Sequence, residues 1–265
     1  MLATRTLLSK QTLTAVSHQP TCFVHQGEYG YWGNTKVAVV FSGCGWWDGS
    51  DVHEGAYTMY HLSRNGARFR TFAPNQQQMH VMDHMKKQPS TGENRNMMIE
   101  SARFIHGQGK RQMQDLSTLD VNSFDAVIFP GGHGIVKNLV KKKILIVKNW
   151  RNLKDFCLCS SLASMAPVLA CRVLPSIEVT MGYERDENTR WGNWPQTNMV
   201  QAVKGMGARH VVREPYISFQ TYVDEKNKVV STPSFMWETD YHYHYIFDGV
   251  GNMVKHVMRL SSKKE

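Results

Sequence analysis

Several features that define common protein classes are missing from this 265-residue sequence. No stretch of about eighteen consecutive apolar residues occurs, so the sequence predicts no membrane-spanning helix. The five cysteines are odd in number and have neither the spacing of a disulfide framework nor that of a zinc finger. This cysteine usage favours a reducing compartment over secretion. Acidic residues are absent before Glu28, and histidine is absent between His133 and His210.

The composition indicates a folded protein with a basic surface. Hydrophobic residues make up 42% of the chain and aromatic residues 11%, which is enough to build a core. The formal net charge is +9, and such a balance can attract nucleic acid, an anionic membrane or an acidic small substrate. Part of the charge lies in lysine runs at 141–143 and 263–264, without the interleaved aromatics typical of RNA binding. We interpret the cations as a solvated surface and predict no nucleic-acid partner.

The first 33 residues have the composition of a targeting segment. The stretch "MLATRTLLSKQTLTAVSHQP" contains Arg5 and Lys10, many Ser and Thr residues, spaced leucines and no acid. That combination is typical of a mitochondrial transit peptide, and a disordered N-terminus is the alternative. The sequence therefore predicts a mitochondrial protein, most simply of the matrix, with an α/β domain at 34–265.

The rest of the chain alternates between apolar runs that end in glycine and segments of helical spacing. The predicted strands are residues 36–45, 67–74, 124–134, 177–182, 208–212 and 227–233. The predicted helices are residues 53–66, 97–104, 165–174, 197–207 and 234–260. Residues 75–120 otherwise form a long polar excursion. This alternation predicts one doubly wound α/β domain, with a mostly parallel sheet flanked by helices in a flavodoxin-like arrangement.

In such folds, ligands bind outside the carboxyl ends of the strands. This rule predicts that three segments lie at one edge of the sheet: the loop after the first strand, the Pro-Gly-Gly loop at 130–132, and the turn at Ser164. These are the places where we expect functional residues.

These three segments also carry a family resemblance. The stretches "FSGCGWWDGSDVHEGAYTMYHLSRNGA", "FDAVIFPGGHGIVKNL" and "MAPVLACRVLP" resemble the DJ-1/PfpI superfamily, which has the class I glutamine-amidotransferase-like fold. The match covers most of residues 36–139 and 164–260. The resemblance implies no cofactor, a small carbonyl or anionic ligand, and a homodimer.

One region departs from the family pattern. The family has a longer segment before the turn that carries its nucleophile, whereas "VKKKILIVKNWRNLKDFCLCSSLA" occupies residues 140–163 here. A variant exon and an altered reading frame are both open as its origin. The segment puts in doubt the strand that should lead into Ser164.

Glu54, in "HEG", matches a glutamate of the superfamily pattern. The resemblance implies that its side chain points at the nucleophile and shares a proton with it. A carboxyl group among apolar neighbours favours the neutral form, which can act as a donor or acid. The alternative is that Glu54 caps or solvates the first helix, since acids favour helix N-termini.

Gly131 and Gly132 match the superfamily's Pro-Gly-Gly loop, and His133 follows them. Glycine allows backbone torsions closed to other residues and brings N–H groups close to a ligand. The resemblance implies an anion or oxyanion pocket at these amides, with His133 as a further candidate for ligand binding. An ordinary strand-to-helix turn is the alternative.

Ser164 occupies the position where the enzymatic relatives have cysteine, so Glu54 and Ser164 are the predicted catalytic pair. A cysteine at a helix N-terminus gains reactivity because its pKa falls there. A serine hydroxyl gains little from that position and needs an adjacent base, usually histidine. His133 is the candidate base, since no histidine follows until His210.

The remaining cysteines and histidines give weaker signals. The Cys-x-Cys pair at 157–159 has no partner pair and reads as buried thiols, and Cys44 is a minor redox candidate. The clusters at 80–84 and 242–244 supply no convincing third ligand, so we predict no metal site.

Two functions are compatible with these residues. The first is a pseudoenzyme that keeps the fold and pocket but serves ligand binding or mitochondrial organisation. The second is a glyoxalase- or deglycase-like lyase, or an amidase-like hydrolase, acting on small reactive carbonyls. The serine in place of cysteine at 164 favours the first.

Overall fold

A computed structural model gives the structure of the chain, which divides into two units, Met1–Gly30 and Tyr31–Glu265. The structure describes residues 34–106, 112–140, 159–172, 174, 176–186, 188–189, 192–213 and 221–262. The predicted transit peptide, the lysine runs and Cys157 lie outside the described residues.

The domain is built on a seven-stranded sheet. In chain order the described strands are β1 (Lys36–Val40), β2 (Arg68–Ala73), β3 (Met82–Asp83), β4 (Gln88–Pro89), β5 (Gln114–Asp115), β6 (Ala126–Phe129), β7 (Cys159–Ala163), β8 (Glu178–Val179), β9 (Asn188–Thr189), β10 (Gly192–Asn193), β11 (Arg209–His210), β12 (Tyr222–Asp224) and β13 (Val229–Thr232). The strand order in the sheet is β12-β13-β7-β6-β1-β2-β5. Every pairing in the sheet is parallel except that of β12 with β13. The predicted doubly wound, mostly parallel architecture is confirmed.

Helices flank this sheet. The described α-helices are α1 (Val52–Arg64), α2 (Met97–Ser101), α3 (Pro167–Cys171), α4 (Thr197–Gly205) and α5 (Tyr243–Ser262). Single turns of 3₁₀-helix occupy Ala102–Ile105, Leu116–Thr118, Val121–Ser123 and Ser234–Met236, and a π-helix spans Ile135–Val140. Local sequence explains the helix starts: Asp51 caps α1 by accepting a hydrogen bond from the backbone of Glu54, and Pro167 opens α3.

The core lies on both faces of the sheet. In β1, Val37 and Val39 belong to an apolar cluster that includes Val254 of α5, whereas Val40 belongs to a second cluster that includes Leu169 of α3. A strand buried on both faces reads as an almost continuous apolar run, which is why "KVAVV" is recognisable as a parallel strand. Burying each such side chain fully stabilises the fold by about 1.5–3 kcal/mol.

Several predicted elements are shorter or differently placed than the sequence indicated. The predicted strands at 177–182 and 208–212 supply β8 and β11, which pair with each other outside the central sheet. The helix predicted over 234–260 begins only at Tyr243, because Ser234 adopts a left-handed φ of 48° and Trp237 is extended. The polar excursion at 75–120 also contains β5, which pairs with β2 at the sheet edge.

The departing segment put the strand before Ser164 in doubt, and that doubt is wrong because the strand, β7, forms. β7 lies in the sheet interior and pairs in parallel with β6 on one side and β13 on the other. The backbone ladder on both sides holds a strand whose Ser- and Cys-rich sequence has little β-propensity of its own. Leu162 and Ala163 at its end are completely buried. Most of the departing segment, 141–158, lies outside the described residues.

Candidate active site

The site lies where the strand order reverses. From β1 the chain moves outward through β2 and β5, and then returns to the other side of β1 with β6. Such a reversal leaves a crevice at the carboxyl ends of the two central strands. Here the loops after β1 and β6 meet through backbone hydrogen bonds, from Asp51 N to Gly131 O at 2.8 Å and from Gly134 N to Gly49 O at 3.0 Å.

Glu54 faces into this crevice from the first turn of α1. Its side chain is fully buried, and Oε2 accepts a 2.6 Å hydrogen bond from the backbone N–H of Gly131. Oε1 accepts a longer one, at 3.4 Å, from the N–H of Phe235. The helix-capping alternative is excluded, because the cap is Asp51.

The surroundings favour the neutral carboxylic acid at Glu54. Burial raises its pKa to about 8, and the nearby charge of Asp51 adds to the rise, while hydrogen bonds from the protein offset part of it. The pKa of Asp51 is itself raised by burial. Around neutral pH, Glu54 is therefore mainly a hydrogen-bond and proton donor rather than a base.

Ser164 occupies the turn between β7 and α3. Its φ of 48° is left-handed, a strained conformation for serine of the kind found at nucleophile elbows. Its N–H donates to the carbonyl of Thr232 on neighbouring β13 at 3.1 Å. The side chain is completely buried, and within the described part of the chain Oγ has no hydrogen-bond partner. No described histidine is therefore placed to activate this hydroxyl.

Gly131 brings these two side chains together. A methyl group built on its Cα would lie 2.6 Å from Glu54 Oε2 and 2.6 Å from Ser164 Cβ. Both distances are far inside van der Waals contact, so only glycine allows the acid and the hydroxyl-bearing turn to approach the loop together. The fold thus places Glu54, Gly131 and Ser164 in one buried cluster.

Gly132 and His133 continue the same loop in a different environment. Gly132 has a φ of 106°, and a methyl group on its Cα would lie 2.5 Å from the carbonyl oxygen of Gly49. The His133 ring lies near both Trp46 and Trp47, at centroid distances of 5.1 and 4.7 Å. Burial lowers the pKa of His133 to about 4, so the ring is neutral at physiological pH. Its Nδ1 is buried and has no hydrogen-bond partner in the described residues.

Aromatic rings form a continuous cluster beside the acid. The ring of Phe235, whose N–H binds Glu54, lies 6.3 Å from Trp46, 5.3 Å from His53 and 5.6 Å from Tyr243, measured between centroids. Tyr243 is 38% exposed, so the cluster extends from the buried acid to the surface. Such a wall would suit a small ligand with an apolar part and one polar group.

Sequence reasoning missed three residues of this region, although signals for them exist. Asp51 precedes Glu54 in the Asp-x-x-Glu pattern of a helix N-terminus. Ser234 and Phe235 follow β13, which is parallel to β7. They therefore lie at the same edge of the sheet as Ser164, outside the carboxyl ends of the strands, where ligands bind in this fold.

The other chemical candidates lie apart from this cluster. Cys44 is partly exposed in the loop after β1, and burial raises its pKa, which disfavours the reactive thiolate. Across the described residues, no three His, Cys, Asp or Glu side chains come together as metal ligands. The described helices also include none that combines the length and apolar character needed to cross a bilayer.

Comparison with known proteins agrees with this architecture. No family model matches the chain. The protein named ES1 protein, mitochondrial, of Danio rerio is 70% identical over 273 residues, covering 99% of this chain and all of that protein. Glutamine amidotransferase-like class 1 domain-containing protein 3, mitochondrial, of Homo sapiens is 44% identical over 242 residues, covering 86% of this chain and 84% of its own.

Solved structures show the same fold. An isoprenoid biosynthesis protein with an amidotransferase-like domain from Ehrlichia chaffeensis has a TM-score of 0.71 at 26% identity, covering 85% of this chain and 99% of its own. Glyoxalase III from Candida albicans has a TM-score of 0.53 at 12% identity, covering 89% and 99%, and shares the fold alone.

The fold and crevice define a protein of the class I glutamine-amidotransferase-like type, as the sequence predicted. Within that type, the chain belongs to the ES1 family. The names of these relatives describe them as mitochondrial, which supports a mitochondrial location for this chain.

Proposed function

We propose that this protein binds small carbonyl or anionic ligands in mitochondria, most simply in the matrix, and does not use Ser164 as a nucleophile. The observation that carries the proposal is the isolation of Ser164 Oγ, which is buried and without a hydrogen-bond partner in the described part of the chain. An alcohol becomes nucleophilic only when a base removes its proton.

The neighbouring acid does not supply that base. Glu54 is mainly protonated near neutral pH because burial raises its pKa to about 8. A protonated carboxyl can donate a hydrogen bond to a ligand oxygen, which supports binding rather than attack on the ligand. His133 also lies in its own Trp46–Trp47 environment instead of against the serine hydroxyl.

A methylglyoxal assay with variants at Ser164 tests this proposal. We expect native protein and Ser164→Ala to consume methylglyoxal at the same background rate. Ser164→Cys should be faster by orders of magnitude, because a thiolate at this position needs no separate base. Glu54→Gln added to Ser164→Cys should remove the gain, which shows that the new activity uses the same site. Robust turnover by native protein that Ser164→Ala abolishes would overturn the proposal in favour of a glyoxalase-like enzyme.

Two further expectations belong to this proposal. A homodimer, predicted from the superfamily resemblance, is checked by sedimentation velocity on the purified chain. A role in mitochondrial organisation likewise stays a prediction.

A further inference from the structure

A second serine lies beside the buried acid. Ser234 follows β13 directly through Pro233, and the next residue, Phe235, donates its N–H to Glu54 Oε1. The Ser234 hydroxyl is near enough to the carboxyl to lower its pKa, although it makes no hydrogen bond of regular geometry within the described residues. The side chain is 3% exposed.

Ser234 and Ser164 share three unusual properties. Both have a left-handed φ of 48°, both are buried, and the hydroxyl oxygen of each makes no hydrogen bond of regular geometry in the described residues. Left-handed backbone is unfavourable for serine, and glycine would relieve it. Buried unsatisfied hydroxyls are also unfavourable, because each loses its hydrogen bonds to water. Two such positions at the ends of adjacent parallel strands indicate a site that a ligand completes.

We propose that Ser234 is a second ligand-binding hydroxyl of this site, and that Ser164 and Ser234 together bind the oxygen atom of a small carbonyl compound beside the Glu54 carboxyl. A carbonyl oxygen has two lone pairs and accepts one hydrogen bond from each hydroxyl. The rest of the ligand would lie against the ring of Phe235, which leads towards the surface through Tyr243. This inference rests on the proposed function, since it names the groups that hold the ligand.

The charge around the site favours a carbonyl over a fully charged anion at the innermost position. Asp51 lies next to Glu54, and its charge, which helps to raise the pKa of Glu54, would also oppose a negatively charged ligand group. The site has hydroxyl and carboxylic acid donors in place of a described lysine or arginine. A neutral acceptor oxygen therefore matches the available partners best.

Binding of two probe compounds to the full chain tests the inference. Pyruvate presents a carbonyl with a carboxylate and hydroxyacetone presents one without a charge, while lactate, which has a hydroxyl in place of the carbonyl, is the negative probe. Ligand-observed NMR gives the dissociation constants. We expect native protein to bind at least one carbonyl probe, and lactate about tenfold more weakly or not at all. Ser234→Ala should weaken binding by about five- to tenfold, which corresponds to the loss of one hydrogen bond.

Two variants separate the hydroxyl from the backbone strain. Ser234→Gly removes the hydroxyl but relieves the left-handed torsion, so it should fold at least as well as native protein and bind as weakly as Ser234→Ala. Ser176→Ala is the matched control, because Ser176 is also left-handed, with a φ of 62°, but is exposed. It should bind like native protein.

Retained affinity in both Ser234 variants overturns the inference and leaves the proposed function standing, whereas native protein that binds neither carbonyl probe counts against both. Failure of the proposed function alone is a different result. It would be seen as turnover of methylglyoxal by native protein. The dissociation constants of the Ser234 variants and of native protein are measured separately, so their ratio still tests the inference.

Discussion

The Oε2 atom of Glu54 and the backbone nitrogen of Gly131 lie 2.6 Å apart, although 77 residues separate them in the chain. This hydrogen bond joins the first turn of α1 to the loop after β6. The hydrogen bond is buried, so the protonation state of the Glu54 carboxyl affects how strongly α1 and the loop after β6 are held together.

Glu54→Gln should change how stability depends on pH. Because the pKa of Glu54 is raised to about 8, the folded protein retains a proton that the unfolded chain releases above its ordinary value of 4.5. Native stability from this group is therefore full below about pH 4.5 and is lost as pH rises towards 8. Relative to the variant, we expect native protein to lose about 3 kcal/mol of unfolding free energy between about pH 5 and pH 8.

Urea unfolding of both proteins at several pH values measures this difference. Asp51 is present in both proteins, so its own raised pKa contributes to each curve. Parallel stability curves across this pH range would mean that Glu54 ionises normally and that its environment is misassigned.

Gly131→Ala should disrupt the candidate site and the fold together. The added methyl would meet Glu54 Oε2 and Ser164 Cβ at 2.6 Å, and the backbone oxygen of Ala163 at 2.7 Å. Since that backbone cannot move freely, we expect a loss of about 2–4 kcal/mol in unfolding free energy. Gly205→Ala is the control, because a methyl group added there would have no neighbour within 4 Å and the residue ends a helix. A Gly131→Ala protein as stable as this control would contradict the packing described here.

Gly182→Ala and Gly207→Ala form a matched pair outside the site. Their φ values are 93° and 88°, so alanine brings a similar backbone strain of about 1 kcal/mol to each. At Gly182, however, the methyl would lie 1.9 Å from the ring of Trp194, which is 2% exposed, whereas Gly207 has no neighbour within 4 Å. We expect Gly182→Ala to lose at least about 2 kcal/mol more than Gly207→Ala, with a change in tryptophan fluorescence. Equal losses would show that Trp194 does not pack there.

His61→Gln should make the protein less sensitive to acid. Burial lowers the pKa of His61 to about 4, and its Nε2 lies 3.0 Å from the carbonyl oxygen of Phe247 on α5. The folded protein thus binds fewer protons than the unfolded chain below pH 6.5, and stability falls as pH drops from 6.5 towards 4. We expect native protein to lose up to about 3 kcal/mol relative to the variant over this range.

Thermal unfolding between about pH 4 and pH 7 checks the His61 prediction. His80→Gln is the matched control, since His80 is exposed in the loop after β2. Should His61→Gln and native protein lose stability in parallel on acidification, the buried histidine is not the group responsible.

The central strands and the flanking helices were predictable because their side chains are distributed by burial. "AVIF" is buried on every residue, "KVAVV" is buried on all but Lys36, and α5 has an apolar stripe of helical period, so composition and spacing suffice. β7 was not predictable in this way. Its residues are mostly small or polar, and it is a strand because β6 and β13 provide hydrogen-bond partners on both sides.

The candidate site was predictable where a motif marks it and not where the fold alone does. Glu54, Gly131 and Ser164 lie in recognisable stretches, and the structure brings them together. No motif assigns a role to Ser234. Its position follows from the register of β13 against β7, where Thr232 pairs with Ala163, and from the left-handed turn that comes next.

The place of β7 between two parallel partners has an evolutionary consequence. Because backbone pairing rather than side-chain identity keeps this strand in register, mutations, insertions or deletions in the stretch before it can accumulate while Ser164 keeps its location. Natural variation in that stretch would then be compatible with an intact crevice.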